Sequence, residues 1–585
     1  MYVVATAGHV DHGKSTLVKA LTGMEPDRWE EERRRGLTID LGFVWADIHG
    51  DNVAFVDVPG HEKFIANMLA GVGPAPVVML VVAADEGWMR QSTDHRDAID
   101  AFGIRHGVVA LTRADKASAP RRTQVRAEVA AKLQGTTLEK WPVVEVSAKT
   151  GEGLDELREQ LIAVLRGAPK SDKTTRVRLW VDRAFSIKGA GTVVTGTLSA
   201  GEVAPGDVMQ LGSRKVSVRG IHSENRAIER ATPAMRLAIN LRDVTTDDVR
   251  RGSALTTPDV WQMSSLVDVR RSTGTALNKL PHELVVHIGT AAVPAKVRPF
   301  GPDHARLILS AELPLTLEDA LVLRGSGSEH ILAGVRALDV DPPALDKRGD
   351  GRRRLSALEH LPDVTAEIAR RVAVTPEHLR RLGYRVEAKP PQGSVAFAGY
   401  WITATQVMRW KEALLTAARQ HEADQPLSPG MSTHEAAKKL DLPDPAVLPL
   451  VAAAAKLHLA GGVVSSGARD GLGEAEAGIR ELEKHLAATP LIAPEARDLE
   501  RWGLGTKELA AAERAGRVIR VGETVLLPSA PKTAARLLAD LPEPFSASEA
   551  RKAWGTTRRV AIPLLELLDA QGITRRVDAT SRVLR

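Results

Sequence analysis

The run GHVDHGKS at residues 8–15 constrains this chain more than any other eight residues. It has the spacing G-x-x-x-x-G-K-S, follows a β-branched stretch around Val3, and leads into a helical pattern. Such a loop turns its backbone N–H groups inward around an anion, with a strand on one side and a helix N-terminus on the other. Strand, loop and helix in that order belong to a parallel sheet covered by helices. Further β-branched runs at 53–58, 77–82, 108–111 and 143–146, with helical periodicity between them, continue the pattern. Residues 1–173 are therefore expected to form an α/β phosphate-loop domain.

Four more elements follow in order. RGLTID at 35–40 supplies Thr38, and DVPGH at 57–61 ends a strand run with Asp57, Gly60 and His61. LTRAD carries Thr112, Arg113 and Asp115, and VSAKTG carries Ser147, Ala148 and Lys149. Together the five have the order and spacing of a GTP-hydrolysing domain. The expected GTP contacts are Gly8, His9, Val10, Asp11, His12, Gly13, Lys14, Ser15, Thr16, Asp57, Gly60, Thr112, Arg113, Asp115, Ser147, Ala148 and Lys149. Lys14 would sit on the β and γ phosphates, and the Asp115 carboxylate would accept paired donors from guanine. Mg²⁺ would be held by Ser15, by Thr38 and, through water, by Asp57.

Past a polar linker, APKSDKTTR, the texture changes. Short alternating segments separated by Gly, Pro and Asp predict two β-barrels, at 174–261 and 262–343. DVDPPALDKRGDGRRR marks the next boundary. Beyond it the chain is rich in Ala, Leu and Arg, and a unit of helices closed by a Gly and two short strands recurs. That pattern predicts four winged-helix domains at 344–403, 404–472, 473–530 and 531–585. The fold class expected is thus an α/β phosphate-loop domain, two β-barrels and an α-rich array of winged helices.

The last module is basic, with ten Lys or Arg against six Asp or Glu in 531–585. Helical spacing puts Val560, Leu564, Leu567 and Leu568 on a core face, and Arg558 and Arg559 at the helix start, where a phosphate is welcome. Arg575 and Arg576 fall in the wing, and Arg551 and Lys552 on the preceding helix. Pro563 lies inside the helical run and should kink it. The whole chain carries only +6 and has a pI near 9.4, which permits a nucleic-acid partner without demanding one. It has no cysteine, which excludes disulfides, thiolate chemistry and Cys-ligated zinc. Its strongest apolar run, APVVMLVVAA, is half the length of a membrane helix. A cytoplasmic monomer without membrane contact is expected.

GHVDHGKST, RGLTIDLGF and DVPGHEKFIANM resemble the translational GTPases. That resemblance implies that His61 orients the attacking water, flanked by Val10 and Leu37. One motif departs from it: the usual Asn-Lys-x-Asp is Thr112-Arg113-Ala114-Asp115. The 240-residue extension, with DRAFSIKGAGTVVTGT and the closing AIPLLELLDAQGITRRV, is similar to the bacterial selenocysteine-specific elongation factor family. The resemblance implies three partners: selenocysteinyl-tRNA, a selenoprotein mRNA hairpin and the ribosome. It places an aminoacyl pocket at Asp182, Arg183, Arg236 and His222, and hairpin contacts at Arg551, Lys552, Arg558, Arg559, Arg575 and Arg576. A general tRNA carrier or initiation-type factor is the alternative that keeps the GTPase. A DNA-binding regulator with a nucleotide switch is the alternative from another class.

Overall fold

The computed structural model describes all residues except 27–37, 170–171, 190, 328–329, 426, 429 and 467–471. It divides into two compact units. One is Met1–Glu367 with Thr375–Ala388, and the other is Ile368–Val374 with Lys389–Arg585.

The first unit begins with a six-stranded sheet of β1 (Tyr2–Gly8), β2 (Gly42–Ile48), β3 (Asp51–Asp57), β4 (Val77–Ala83), β5 (Gly107–Thr112) and β6 (Val143–Glu145), in the order β2-β3-β1-β4-β5-β6. Five strands are parallel, and β2 runs antiparallel to β3 along the edge. The reason is local. Only His49 and Gly50 join β2 to β3, both at positive φ, the two-residue turn that folds a chain straight back. β4 is buried along its whole length, as a central parallel strand covered on both faces must be.

Seven strands between residues 178 and 256 form the next sheet, and an additional pairing between Val208–Leu211 and Arg214–Ser223 closes six of them into a ring, with Arg226–Ile228 paired outside it. Six strands between 262 and 339 form a closed barrel. Its strand Ala291–Pro299 alternates buried and exposed residues, the period-2 signature of a wall with one dry face. The helix Asp350–Leu358 is fastened to this barrel by a buried ion network. Arg306 pairs with Asp268 through both oxygens at 2.7 and 3.0 Å, and Arg354 reaches Asp268 at 2.6 Å and also Asp339. The expected first winged-helix span, 344–403, is therefore shared between the two compact units.

Among its described residues the second unit holds four short β-ribbons, each beside helices. Three are three-stranded, and the fourth pairs Ile519–Val521 with Thr524–Leu526. The last two helix-and-ribbon modules share one hydrophobic core running from Leu472 and Leu491 to Phe545 and Leu568. Val560, Leu564 and Leu568 are buried there; Leu567 is only half-buried, and Ala561 and Leu565 fill that face beside them. The helix Arg558–Ala570 runs on through Pro563. The proline ring lies against Gly522, where an added β-carbon would come 2.8 Å from it, so Pro563 helps seat the neighbouring ribbon.

Candidate functional site

β1 ends at Gly8, which pairs with Val81 of β4. Gly8 has φ +131°, and a side chain there would meet the Val81 carbonyl at 2.2 Å, so only glycine lets the chain leave the sheet at this point. The helix Lys14–Thr22 then starts behind Gly13 with no acidic residue in its first turn, leaving its positive end open to an anion. Lys14 is buried, and its ammonium donates to the Gly8 and His9 carbonyls at 3.1 and 2.8 Å.

Ser15 Oγ donates to Asp57 Oδ2 at 2.6 Å and lies 3.1 Å from Thr38 Oγ1, while Thr6 Oγ1 donates to the other Asp57 oxygen at 2.7 Å. Two hydroxyls and a carboxylate meeting at the mouth of a phosphate loop make an all-oxygen donor set. That set suits a hard divalent cation such as Mg²⁺.

Lys14, Ser15 and Thr38 line a cavity of about 480 Å³, while Gly8, His9, His12 and Asp57 are not among its lining residues. Val10, Asp11, Gly13, Thr16, Gly60, Thr112, Arg113, Asp115, Ser147, Ala148 and Lys149 complete its wall, together with Lys116, which sequence reasoning did not single out. Ser147 Oγ donates to Asp115 Oδ1 at 2.7 Å, and that bond holds the Asp115 carboxyl below its ordinary pKa. Thr112 donates from Oγ1 to the His12 carbonyl at 2.6 Å and so ties β5 to the phosphate loop. Arg113 is drawn to Glu86, to Asp85 and to the Asp11 carbonyl. His12 itself is fully buried, and burial pushes its pKa down to about 3, so it is neutral.

His61 caps the turn Glu62–Phe64, with Nδ1 accepting from Lys63 N at 3.2 Å. It follows Gly60, which lines the cavity, but is not itself among the lining residues. Leu37 lies outside the described residues.

Sequence reasoning missed two residues on the helix Arg90–Phe102. Gln91 Oε1 accepts from Val10 N at 3.0 Å, and His95 Nδ1 accepts from Gly8 N at 3.0 Å. His95 also hydrogen-bonds the Gly60 backbone, and burial pushes its pKa down to about 3. A neutral imidazole thus joins the phosphate loop to the segment after β3. The signal available was the i, i+4 spacing of two polar residues in QSTDH beside a strand end.

A second cavity, of about 1340 Å³, opens between β2–β3 and the sheet of residues 178–256. Asp182, Arg183, Arg236 and His222 all line it. Arg236 pairs with both oxygens of Asp182, which also accepts from Thr195 at 2.6 Å, and the Arg236 guanidinium sits 3.7 Å over the Phe43 ring. Arg183 reaches Asp40 at 3.2 Å and the Leu41 carbonyl at 2.6 Å, while its buried Nε meets no acceptor among the described residues. Arg219, Arg250 and Arg251 also line the cavity. Their spacing from the other arginines gave no hint of this, because they come from different strands and loops.

Comparison with known proteins gives the same answer along the chain. Residues 1–166 match the Elongation factor Tu GTP binding domain, residues 266–344 the beta-barrel domain of the selenocysteine-specific elongation factor, and residues 536–584 the winged helix of elongation factor SelB. The selenocysteine-specific elongation factor of Escherichia coli (strain K12) is 33% identical, aligned over 98% of this chain and 97% of that one. The chain belongs to the selenocysteine-specific elongation factors.

Its first domain is that of a GTPase, and GTP is its nucleotide. A crystal structure of the bacterial factor EF-Sec matches with a TM-score of 0.76 at 26% identity, covering 100% of this chain and 99% of that one. The factor from Methanococcus maripaludis, solved with the GTP analogue GPPNHP, shares the fold with a TM-score of 0.52 at 24% identity, over 58% of this chain and 79% of that one. No helix among the described residues is long and apolar enough to cross a membrane.

In the SelB winged-helix region, Arg558 and Arg559 are the first two residues of the helix Arg558–Ala570, and both are exposed. Arg559 donates to the Pro494 carbonyl at 3.3 Å, and Thr556 Oγ1 binds the Leu491 carbonyl, so the helix start is anchored to the preceding module. Arg575 and Arg576 are exposed on the strand Thr574–Arg576, where Arg576 lies 3.5 Å from Asp569 and 3.8 Å from Glu566. Arg551 and Lys552 lie in the last turn of the helix Ala547–Ala553.

Proposed function

We propose that this factor delivers selenocysteinyl-tRNA to the ribosome at in-frame UGA codons, under control of GTP. Its last winged helix would bind a hairpin in the selenoprotein message. The domain plan behind this reading is a GTP-binding domain at 1–173, barrels at 174–261 and 262–343, and winged helices at 344–403, 404–472, 473–530 and 531–585.

The observation that carries the reading is the cavity that gathers Asp182, Arg183, Arg236 and His222. Selenols are more acidic than thiols, so the selenocysteine side chain is an anion at neutral pH, while serine is neutral. An anionic selenium would be attracted by the Arg183 and Arg236 guanidinium groups that line the cavity. A neutral serine hydroxyl would gain no such attraction. The Asp182–Arg236 pair fixes the second guanidinium of the cavity lining.

At the nucleotide site, Lys14 would bind the β and γ phosphates, Gly60 N–H the γ-phosphate, and Asp115 the guanine, with the Ala148 amide at its carbonyl. Ser15 and Thr38 would hold Mg²⁺ directly and Asp57 through water, and the ion would neutralise charge on the phosphates. His61 would orient the attacking water between Val10 and Leu37. The protein's part is positioning and electrostatic stabilisation, with little covalent work. The helix start at Arg558 and Arg559, with Arg575 and Arg576 in the wing, would grip hairpin phosphates and splayed bases.

Filter binding of the full chain with a non-hydrolysable GTP analogue tests the cargo. Selenocysteinyl-tRNA should be retained at least about 10-fold more tightly than the same tRNA carrying serine, the scale of one buried charge interaction. Equal retention would overturn the pocket assignment.

A further inference from the structure

We propose that Asp40 is a positioning residue that couples the triphosphate site to the arginine wall of the aminoacyl pocket, a reading that builds on the proposed function. Residues 38–41 are held at every step. Thr38 Oγ1 lies 3.1 Å from Ser15 Oγ, and the Ile39 carbonyl accepts from Asn67 Nδ2 at 2.9 Å. Asp40 accepts from Arg251 Nη2 at 2.5 Å on one oxygen and from Arg183 Nη2 at 3.2 Å on the other. Arg183 Nη2 also donates to the Leu41 carbonyl at 2.6 Å.

Arg251 closes the circuit. Its Nη1 donates to Asn67 Oδ1 at 2.6 Å, and its Nε to the Asp182 carbonyl at 2.9 Å. Asn67 belongs to the helix Ile65–Val72, just after the segment that holds Gly60 and His61. One network of named bonds therefore runs from the hydroxyl and carboxylate oxygens at the phosphate loop to Asp182, whose carboxylate orients Arg236. It engages both segments that flank the γ-phosphate position, and both meet at Arg251.

Charge explains why this position needs an acid. Arg183 and Arg251 approach the same carboxylate, and two guanidinium groups so close repel each other without an anion between them. Burial would raise the Asp40 pKa, but the Arg251 and Arg183 guanidinium groups outweigh it and hold the carboxyl below its ordinary range. Asp40 thus keeps Arg183 at the pocket wall, and it does so only while residues 38–41 hold this path. A path of this kind links two sites energetically when one nucleotide state favours it over the other.

The test measures aminoacyl-tRNA affinity of the full chain in the presence of a non-hydrolysable GTP analogue and of GDP. The reading is the ratio of the two affinities. Asp40→Asn keeps the shape and removes the charge, and should lower the GTP-to-GDP ratio about 10-fold, or about 1.4 kcal/mol. The loss should fall on the GTP form. Asp40→Glu, which keeps the charge, should restore the ratio to within about threefold of the parent. If Asp40→Asn does not fold, Arg251→Lys reads the same ratio, because it keeps the charge but loses the forked bonds to Asp40 and Asn67. An unchanged ratio, or equal weakening in both nucleotide forms, would overturn the coupling. The parent chain also separates this proposal from the one it rests on. If seryl- and selenocysteinyl-tRNA bind equally, the cargo assignment fails, while the ratio remains readable with either.

Discussion

Substitution of Gly60 by alanine should divide the two nucleotides. A β-carbon on Gly60 would fall 2.4 Å from Lys14 Nζ, 2.6 Å from Val10 N and 2.8 Å from Val10 Cα. The lysine end can swing aside, but the other two atoms are phosphate-loop backbone. That backbone is pinned by the bond from Val10 N to Gln91 and by the Gly8–His95 bond just before it. The segment after β3 must therefore back away from the loop, and the Gly60 N–H goes with it. A hydrogen bond to a charged acceptor contributes about 1.5–3 kcal/mol. Losing it should weaken GTP binding by roughly 10- to 150-fold. GDP has no γ-phosphate for that N–H to meet, so its affinity should change by less than about twofold. Competition titrations of Gly60→Ala with a non-hydrolysable GTP analogue and with GDP give both numbers. Equal weakening of the two nucleotides would refute the reasoning, because the damage would then lie in the loop itself and not in the γ-phosphate contact.

Three further outcomes are expected. His61→Ala should keep GTP affinity while losing ribosome-stimulated hydrolysis by about 10²- to 10⁴-fold, the range for loss of a group that positions or activates a nucleophile; unchanged single-turnover hydrolysis would remove the assignment. Arg558→Ala with Arg559→Ala should weaken binding of a selenoprotein message hairpin and reduce its salt dependence, by about 0.7–0.9 in the log–log slope per lost phosphate contact. An identical slope means these arginines do not touch RNA. Acid should destabilise the chain early, because burial pushes His12, His95 and His287 down from 6.5 to about 3. Each stays neutral in the fold while the unfolded chain takes up a proton below pH 6.5, so stability falls as pH drops, by about 2 kcal/mol per histidine at pH 5. Thermal unfolding followed from pH 7 to pH 5 should show this decline, and a flat midpoint would contradict it.

The residues expected to meet the nucleotide could be picked out because each motif is a run of neighbours, and the backbone that carries it is dictated locally. Gly8, Lys14, Asp57, Gly60 and Asp115 needed only their own loops to declare themselves. Thr112 shows the limit. In sequence it is a departure from Asn; in space its hydroxyl reaches the His12 carbonyl across the sheet end, a bond between residues 100 apart. The antiparallel edge strand β2 was likewise set by two residues at its turn, although the texture of the region predicts parallel strands. Pro563 had no purpose until Gly522 appeared beneath its ring.

The amino-acid sequence by itself determined most element types, though not the edge strand β2, together with the phosphate-loop spacing and the basic character of the closing module, since periodicity, glycine placement and local charge decide these. Tertiary structure alone decided that Arg251, 211 residues from Asp40, shares its carboxylate with Arg183, and that Gln91 and His95 brace the phosphate loop. A hydrogen bond needs donor and acceptor within about 3 Å. No pattern along a chain encodes which distant side chains satisfy that distance until sheets, rings and helices have packed.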